Sequence, residues 1–258
     1  MNIKHFIREQ LTKISNQLFY SGSRYQCITC GSGLRKFIAI GEVFPVLKDK
    51  NVVGGGLRYA GCPICYSTDR ERLIHLYLRD YYEINKKGNI KVLHIAPEKG
   101  LINYFQSLNN ITYICGDKFT QGYHYPKFVE NMDITSIHYE ANSFDMVICN
   151  HVLEHIIDDK KAIAEIFRVL KPGGNAILQV PLALAMDRTI EDYSIVDHRE
   201  REKLYGQFDH VRLYGKDYKD RLESAGFMVE MVSLEQLGAS CIKFGLNSKE
   251  ELHIAKKI

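Results

Sequence analysis

The sequence predicts an α/β protein: a parallel sheet covered by helices, preceded by a small metal-binding module. Three observations carry this. From about residue 89, short apolar runs alternate with helical patterns, the signature of a parallel sheet. Four of the seven cysteines fall into two C-x-x-C pairs in the first quarter of the chain. The charge is also divided: residues 1–88 hold 14 Lys and Arg against 7 Asp and Glu, and the remainder 20 against 24. A basic N-terminal third on an acidic remainder suggests two modules with different partners.

Composition sets the outer limits. At 258 residues, 45% apolar and 25% charged, the chain can build a real core without disulfides. An odd number of cysteines also disfavours a closed disulfide framework. No run approaches the ~18 apolar residues of a transmembrane helix. The opening MNIKHFIREQ lacks the apolar stretch of a secretory signal, so the cytoplasm is the expected compartment.

The cysteine pairs read C-I-T-C-G and C-P-I-C, with 31 residues between Cys30 and Cys62. One C-x-x-C turn presents two thiolates to a tetrahedral metal, and a second completes a four-sulfur shell. Cys27, Cys30, Cys62 and Cys65 are therefore expected to hold one structural zinc with no open position. A redox pair competes, but such motifs occur singly near a βαβ unit. Before them, Ile3, Phe6, Ile7, Leu11, Ile14 and Leu18 recur at helical spacing. That helix either packs on the module or a partner subunit, or lies with its basic residues on a membrane or nucleic acid. Residues 69–83 read as a second amphipathic helix, leading to a Lys86-Lys87-Gly88 linker.

The sheet is then read in order. Lys91–Ala96 is a buried first strand, followed by a helix over Leu101–Leu108. Ile111–Gly116 is a second strand ending at Asp117, and Lys127–Asn131 a short third ending near Asp133. Phe144–Asn150 is the fourth, and a helix over Lys160–Leu170 is closed by Lys171-Pro172-Gly173-Gly174. Asn175–Val180 is the fifth. Phe227–Val232 and Leu252–Lys256 supply the last two. The domains are expected at 1–88 and 89–258, with residues 183–226 an insertion too long for a simple connection.

The stretch SFDMVICNHVLEHIIDDKKAIAEIFRVLKPGGNAILQVP, with the acids after strands two and three, resembles the class I S-adenosylmethionine-dependent methyltransferases of type 11. The resemblance covers residues 89–182. It implies a Rossmann-like seven-stranded sheet with the last strand antiparallel, and S-adenosylmethionine as cofactor. Ligands in such sheets bind beyond the carboxyl ends of the strands. Carried over by position, Asp117 would accept from both ribose hydroxyls. Asp133 would accept from the adenine amino group, with Ile134 packed on the ring, and Asn150 and His151 would line the methionine half. The family's Gly-rich first loop is reduced here to His94-Ile95-Ala96-Pro97-Glu98-Lys99-Gly100, which keeps only the last glycine. Either Glu98 supplies the charge of the usual acid, with His94, Ala96 and Gly100 shaping the loop, or the site binds poorly.

The insertion is expected to cap the acceptor. Asp209-His210-x-Arg212 and Asp197-His198-x-x-Arg201 each set an imidazole beside an acid, an arrangement that can make a general base. His210, in an apolar and aromatic setting, is the first candidate for base, and His151 the second. His198 and Arg212 are candidate substrate contacts, or else members of a surface network or an Arg212–Asp209 pair. The leading functional expectation is O-methylation of a small molecule: a sugar, nucleotide-sugar or secondary metabolite. Methylation of RNA through the basic module is an alternative, as is a non-catalytic cofactor-binding module. Against RNA, the pI of 8.3 lies below the usual nucleic-acid footprint. The sequence leaves the oligomeric state open.

Overall fold

The computed structural model describes residues 12, 14–238 and 241–258. Its centre is a seven-stranded sheet of β1 (Ile90–Ile95), β2 (Ile111–Asp117), β3 (Val129–Asn131), β4 (Phe144–Asn150), β5 (Leu170–Gln179), β6 (Met228–Val232) and β7 (Leu252–Lys256), in the order β6-β7-β5-β4-β1-β2-β3. The five strands from β5 to β3 are parallel, and β7 runs antiparallel between β5 and β6.

The strands form where the sequence is apolar on both faces, as a doubly covered parallel sheet demands. Along β4 the two faces alternate. Val147 and Cys149 pack with α3 (Asp159–Val169) through Ala162, Ile163 and Ile166, whereas Met146 and Ile148 enter the core on the other face. That second core also receives Leu101 and Phe105 from α2 (Lys99–Gln106) and Leu73, Ile74 and Leu76 from α1 (Asp69–Leu76). The last helix of the N-terminal block thus lies inside the core of the sheet. Its start is fixed by a capping box in which Thr68 and Glu71 exchange side-chain and backbone hydrogen bonds.

Two elements differ from the sequence expectation. The helix over 69–83 is α-helical only to Leu76 and continues as a π-helical turn, Tyr77–Tyr81, closed by Tyr82 N–H to the Tyr77 carbonyl at 2.8 Å. Strand β5 starts at Leu170, before the Lys-Pro-Gly-Gly breaker, because the chain bulges between Leu170 and Asn175 while keeping its pairing with β4. Of the N-terminal apolar stripe, Ile3, Phe6, Ile7 and Leu11 lie outside the described residues. Residues 14–20 are helical, Ile14 and Leu18 are exposed, and Asn16 donates to the Pro63 carbonyl at 2.8 Å.

The insertion folds over the carboxyl ends of the strands. It contains α4 (His198–Tyr205), α5 (Tyr218–Glu223) and a short antiparallel pair, Ile190–Glu191 with Arg212–Leu213. It is stitched to the N-terminal block, where Leu182 and Ala183 pair antiparallel with Val53 and Val52. A small core of Ala183, Met186, Tyr205 and Leu213 closes against Val46 and Val52.

Candidate active site

The first loop departs from strand β1 with Ala96 at φ +47°. His94, fully buried, bridges Tyr113 Oη through Nδ1 and Glu98 Oε2 through Nε2, both at 2.8 Å. Asn150, at the end of β4, donates to the other Glu98 oxygen. Burial alone would raise the Glu98 carboxyl, but His94 and Asn150 hold it below its ordinary value, so it stays ionised. The loop has therefore exchanged glycines for a braced carboxylate. The retained Gly100 has a packing reason: a Cβ there would sit 2.7 Å from Thr29 Cγ2 in the first cysteine turn.

Asp117 ends β2 half-buried, and burial raises its carboxyl. Asp133 is bound on both oxygens, to Lys118 Nζ at 2.8 Å and to the Thr135 backbone N–H and hydroxyl at 2.9 and 2.7 Å. Ile134 is buried in the core on the α3 side.

Beyond β4 lies a cavity of about 260 Å³. One wall is Gly54, Gly55, Gly56, Arg58 and Arg70 of the N-terminal block; the other is His151, Glu154, His155 and, from the insertion, His210. His151 takes a left-handed backbone, φ +55°, which is uncommon for a residue with a side chain. Its Nδ1 faces Glu154 Oε1 at 3.2 Å, while His151 Nε2 and Glu154 Oε2 are buried without partners. Gly54 lies over the ring, since a Cβ on it would be 2.9 Å from His151 Cε1. Burial pushes His151 down to about 4 and lowers His210 as well, so both imidazoles are neutral at pH 7 and have a lone pair to give.

The two histidines expected to share the acceptor part company. His210 lines the cavity and His198 is not among its walls: it opens α4, exposed, against Phe208. Asp209 does not pair with His210. It holds His155, Nδ1 to Oδ2 at 3.3 Å, while His210 Nδ1 faces the Tyr205 carbonyl at 3.4 Å. Arg212 corrects its expectation as a substrate contact. It is fully buried and its guanidinium is spent on Glu191, the carbonyls of Leu153, Ile156 and Ile157, and Tyr193 Oη. No donor is left for an anion. Glu154 and His155, not named among the expected site residues, also enter the cavity wall. The available signal was an acid and an imidazole side by side just past a strand end.

The four cysteines of the two turns come together, every sulfur within 4.8 Å of the others. Cys27 Sγ is 3.7 Å from Cys65 Sγ, and Cys30 Sγ is 3.8 Å from Cys62 Sγ. Those separations are far beyond a disulfide bond. They match the edge of a tetrahedron with metal–sulfur bonds of about 2.3 Å, roughly 3.8 Å. The turns also repeat each other: Cys27 N–H bonds Ser32 O as Cys62 N–H bonds Ser67 O, both at 2.9 Å. The set fits zinc. The described residues contain no helix long and apolar enough to cross a membrane.

Comparison with known proteins finds likenesses over part of the chain. The type 11 family described as "Methyltransferase domain" matches residues 92–178. An arsenite methyltransferase of Aquipseudomonas alcaligenes is 30% identical over 95 residues, 37% of this chain, which spans only a quarter of that protein's length. Among solved structures, the cyclase SpnF is similar at 17% identity and TM-score 0.49, over 72% of this chain and 81% of that one. A phosphoethanolamine N-methyltransferase 2 of Haemonchus contortus is similar at 18% identity and TM-score 0.46, over 72% and 52%. Residues 92–178 are thus similar to a methyltransferase domain and are set between two segments that the match does not reach.

Proposed function

We propose that the chain transfers a methyl group from S-adenosylmethionine to an oxygen of a small acceptor, of the sugar, nucleotide-sugar or secondary-metabolite kind, bound in the cavity beyond β4. The observation that carries this reading is the His151–Glu154 pair. An imidazole oriented through Nδ1 by a carboxylate, with Nε2 unpartnered in a cavity, is the arrangement of a general base. The cofactor, when bound, supplies the activated methyl group and its own leaving group. The protein's part is to position the acceptor and take its proton. Of the two expected bases, His151 is the one at the strand end and oriented by an acid; His210 belongs to the acceptor wall. The cavity is sized for a small ligand or for one end of a larger one. Arsenite is not carried over from the bacterial relative, whose match covers too little of that protein.

At the cofactor end, Asp117 would accept from the ribose hydroxyls. Asp133 and Ile134 mark the adenine end, where the exposed Lys118 ion pair is cheap to exchange. Glu98, braced by His94 and Asn150, would meet the positive methionine half. In the N-terminal block, Cys27, Cys30, Cys62 and Cys65 would hold structural zinc. Calorimetry with S-adenosylmethionine and its demethylated product tests the first half. Asp117→Ala should weaken both by 30- to 150-fold, or about 2–3 kcal/mol. Labelled methyl transfer to a metabolite extract, with RNA offered separately, tests the second. His151→Asn should lower turnover by about 10²- to 10⁴-fold with cofactor affinity intact. Transfer to RNA alone would overturn the acceptor class, and absence of cofactor binding would overturn the whole reading.

A further inference from the structure

We infer that Glu154, His155 and His210 form a second metal site, distinct from the four cysteines, that takes a divalent transition-metal ion in the wall of the acceptor cavity. One ligand atom from each of the three lies within 4.8 Å of the others. Two imidazoles and a carboxylate suit zinc, iron(II), cobalt(II) or manganese(II), and leave coordination positions open on the side facing the cavity.

Two further observations point to a ligand rather than to packing. Glu154 is 1% exposed, yet its Oε2 is buried without a partner. An ionised oxygen left so would cost several kcal/mol unless a cation meets it. Each histidine also has an outer partner. His155 turns Nδ1 to the Asp209 carboxylate, and His210 turns Nδ1 to the Tyr205 carbonyl. Both partners fix Nδ1 as the protonated nitrogen and leave Nε2 as the donor. That is the second layer metal-binding histidines carry. The rings meet edge to face with centroids 4.7 Å apart, so one ion can reach both.

The ligands come from two places. Glu154 and His155 follow β4 inside the matched domain, while His210 and its support at Tyr205 and Asp209 come from the insertion. A bound ion would therefore tie the insertion to the sheet beside His151. If the reading of the cavity as the acceptor site holds, its open positions face the acceptor oxygen. Metal binding itself does not depend on that reading.

Cobalt(II) titration of the full chain as purified tests the site, followed by calorimetry and visible absorption. The expected result is one saturable equivalent without thiolate-to-cobalt absorption, with the four-cysteine metal content unchanged by elemental analysis. His155→Gln and His210→Gln should each weaken it at least tenfold. Asp209→Asn, which touches no ligand atom, should weaken it about 10- to 100-fold. Binding of S-adenosylhomocysteine, measured in parallel, reports on the cofactor site and on folding of each variant. No saturable cobalt in the wild type, or equal affinity in all three variants, overturns the site while leaving the methyltransferase reading standing.

Discussion

Two buried arginines anchor the two segments that flank the methyltransferase domain, and they are satisfied in different ways. Arg72, in the N-terminal block, gives all its bonds to backbone carbonyls: Ser67, Ala60, Phe244 and Gly245, at 2.8–2.9 Å. Arg212, in the insertion, mixes three carbonyls with a carboxylate and a phenol, and sits in a network where Arg221 also grips Asp159 and Glu191. The hydrogen bonds of Arg72 go to neutral acceptors, and its guanidinium lies over the Phe37 ring at 4.2 Å. The insertion is held by charges whose value depends on their ionisation. The N-terminal block gathers four sulfurs at one point, and the insertion is built on ion pairs.

The largest effect should come from breaking the sulfur centre. Cys62→Ser should release the metal and unfold the N-terminal block, because structural zinc contributes folding free energy directly, about 10–16 kcal/mol in small zinc-binding peptides. Elemental analysis and proteolysis read this. Retained zinc with unchanged protease resistance would remove zinc from the account of that block.

Next comes Arg212→Ala. It leaves Glu191 and Asp159 short of a cation and three carbonyls short of a donor, and should cost about 3–5 kcal/mol in denaturant unfolding. A cost below about 1 kcal/mol would mean that the insertion is held by its apolar contacts.

The smallest effect is in acid. Burial favours the neutral form of Glu191, but Arg221, Arg212 and Tyr193 bring its carboxyl down to about 2. A folded value below the unfolded one, about 4.3, stabilises fully above pH ~4.3 and fades as pH falls towards 2. The stability gap between wild type and Glu191→Gln should therefore narrow over that window. A gap that stays constant with pH would show that the carboxylate charge is not what holds the insertion.

Much of this was legible in the sequence, and the rest failed for identifiable reasons. The seven strands were readable because both faces of a buried parallel sheet are apolar and breakers separate the runs. The strand-end place of Asp117 and the convergence of the four cysteines were readable because both follow from local position and spacing. The partners of Asp209 and Arg212 were not. His155 lies 54 residues from Asp209, and Glu191 lies 21 from Arg212, so neither pairing leaves a local pattern. Glu154 is ambiguous in the sequence, because an acid beside apolar residues looks the same whether it caps a turn or faces a cavity. Gly100 looked like the remnant of a cofactor loop, and only the fold shows Thr29 pressed against it.

Gly54 carries a consequence of another kind. Its left-handed backbone, φ +74°, brings it against the His151 ring, so part of the cavity wall comes from outside the matched residues 92–178. Substitutions at Gly54–Gly56 would change the shape of the cavity without touching the seven-stranded sheet. Because Leu73, Ile74 and Leu76 of the same N-terminal block are buried in the core of the sheet, a cut at residue 89 would remove core as well as this wall.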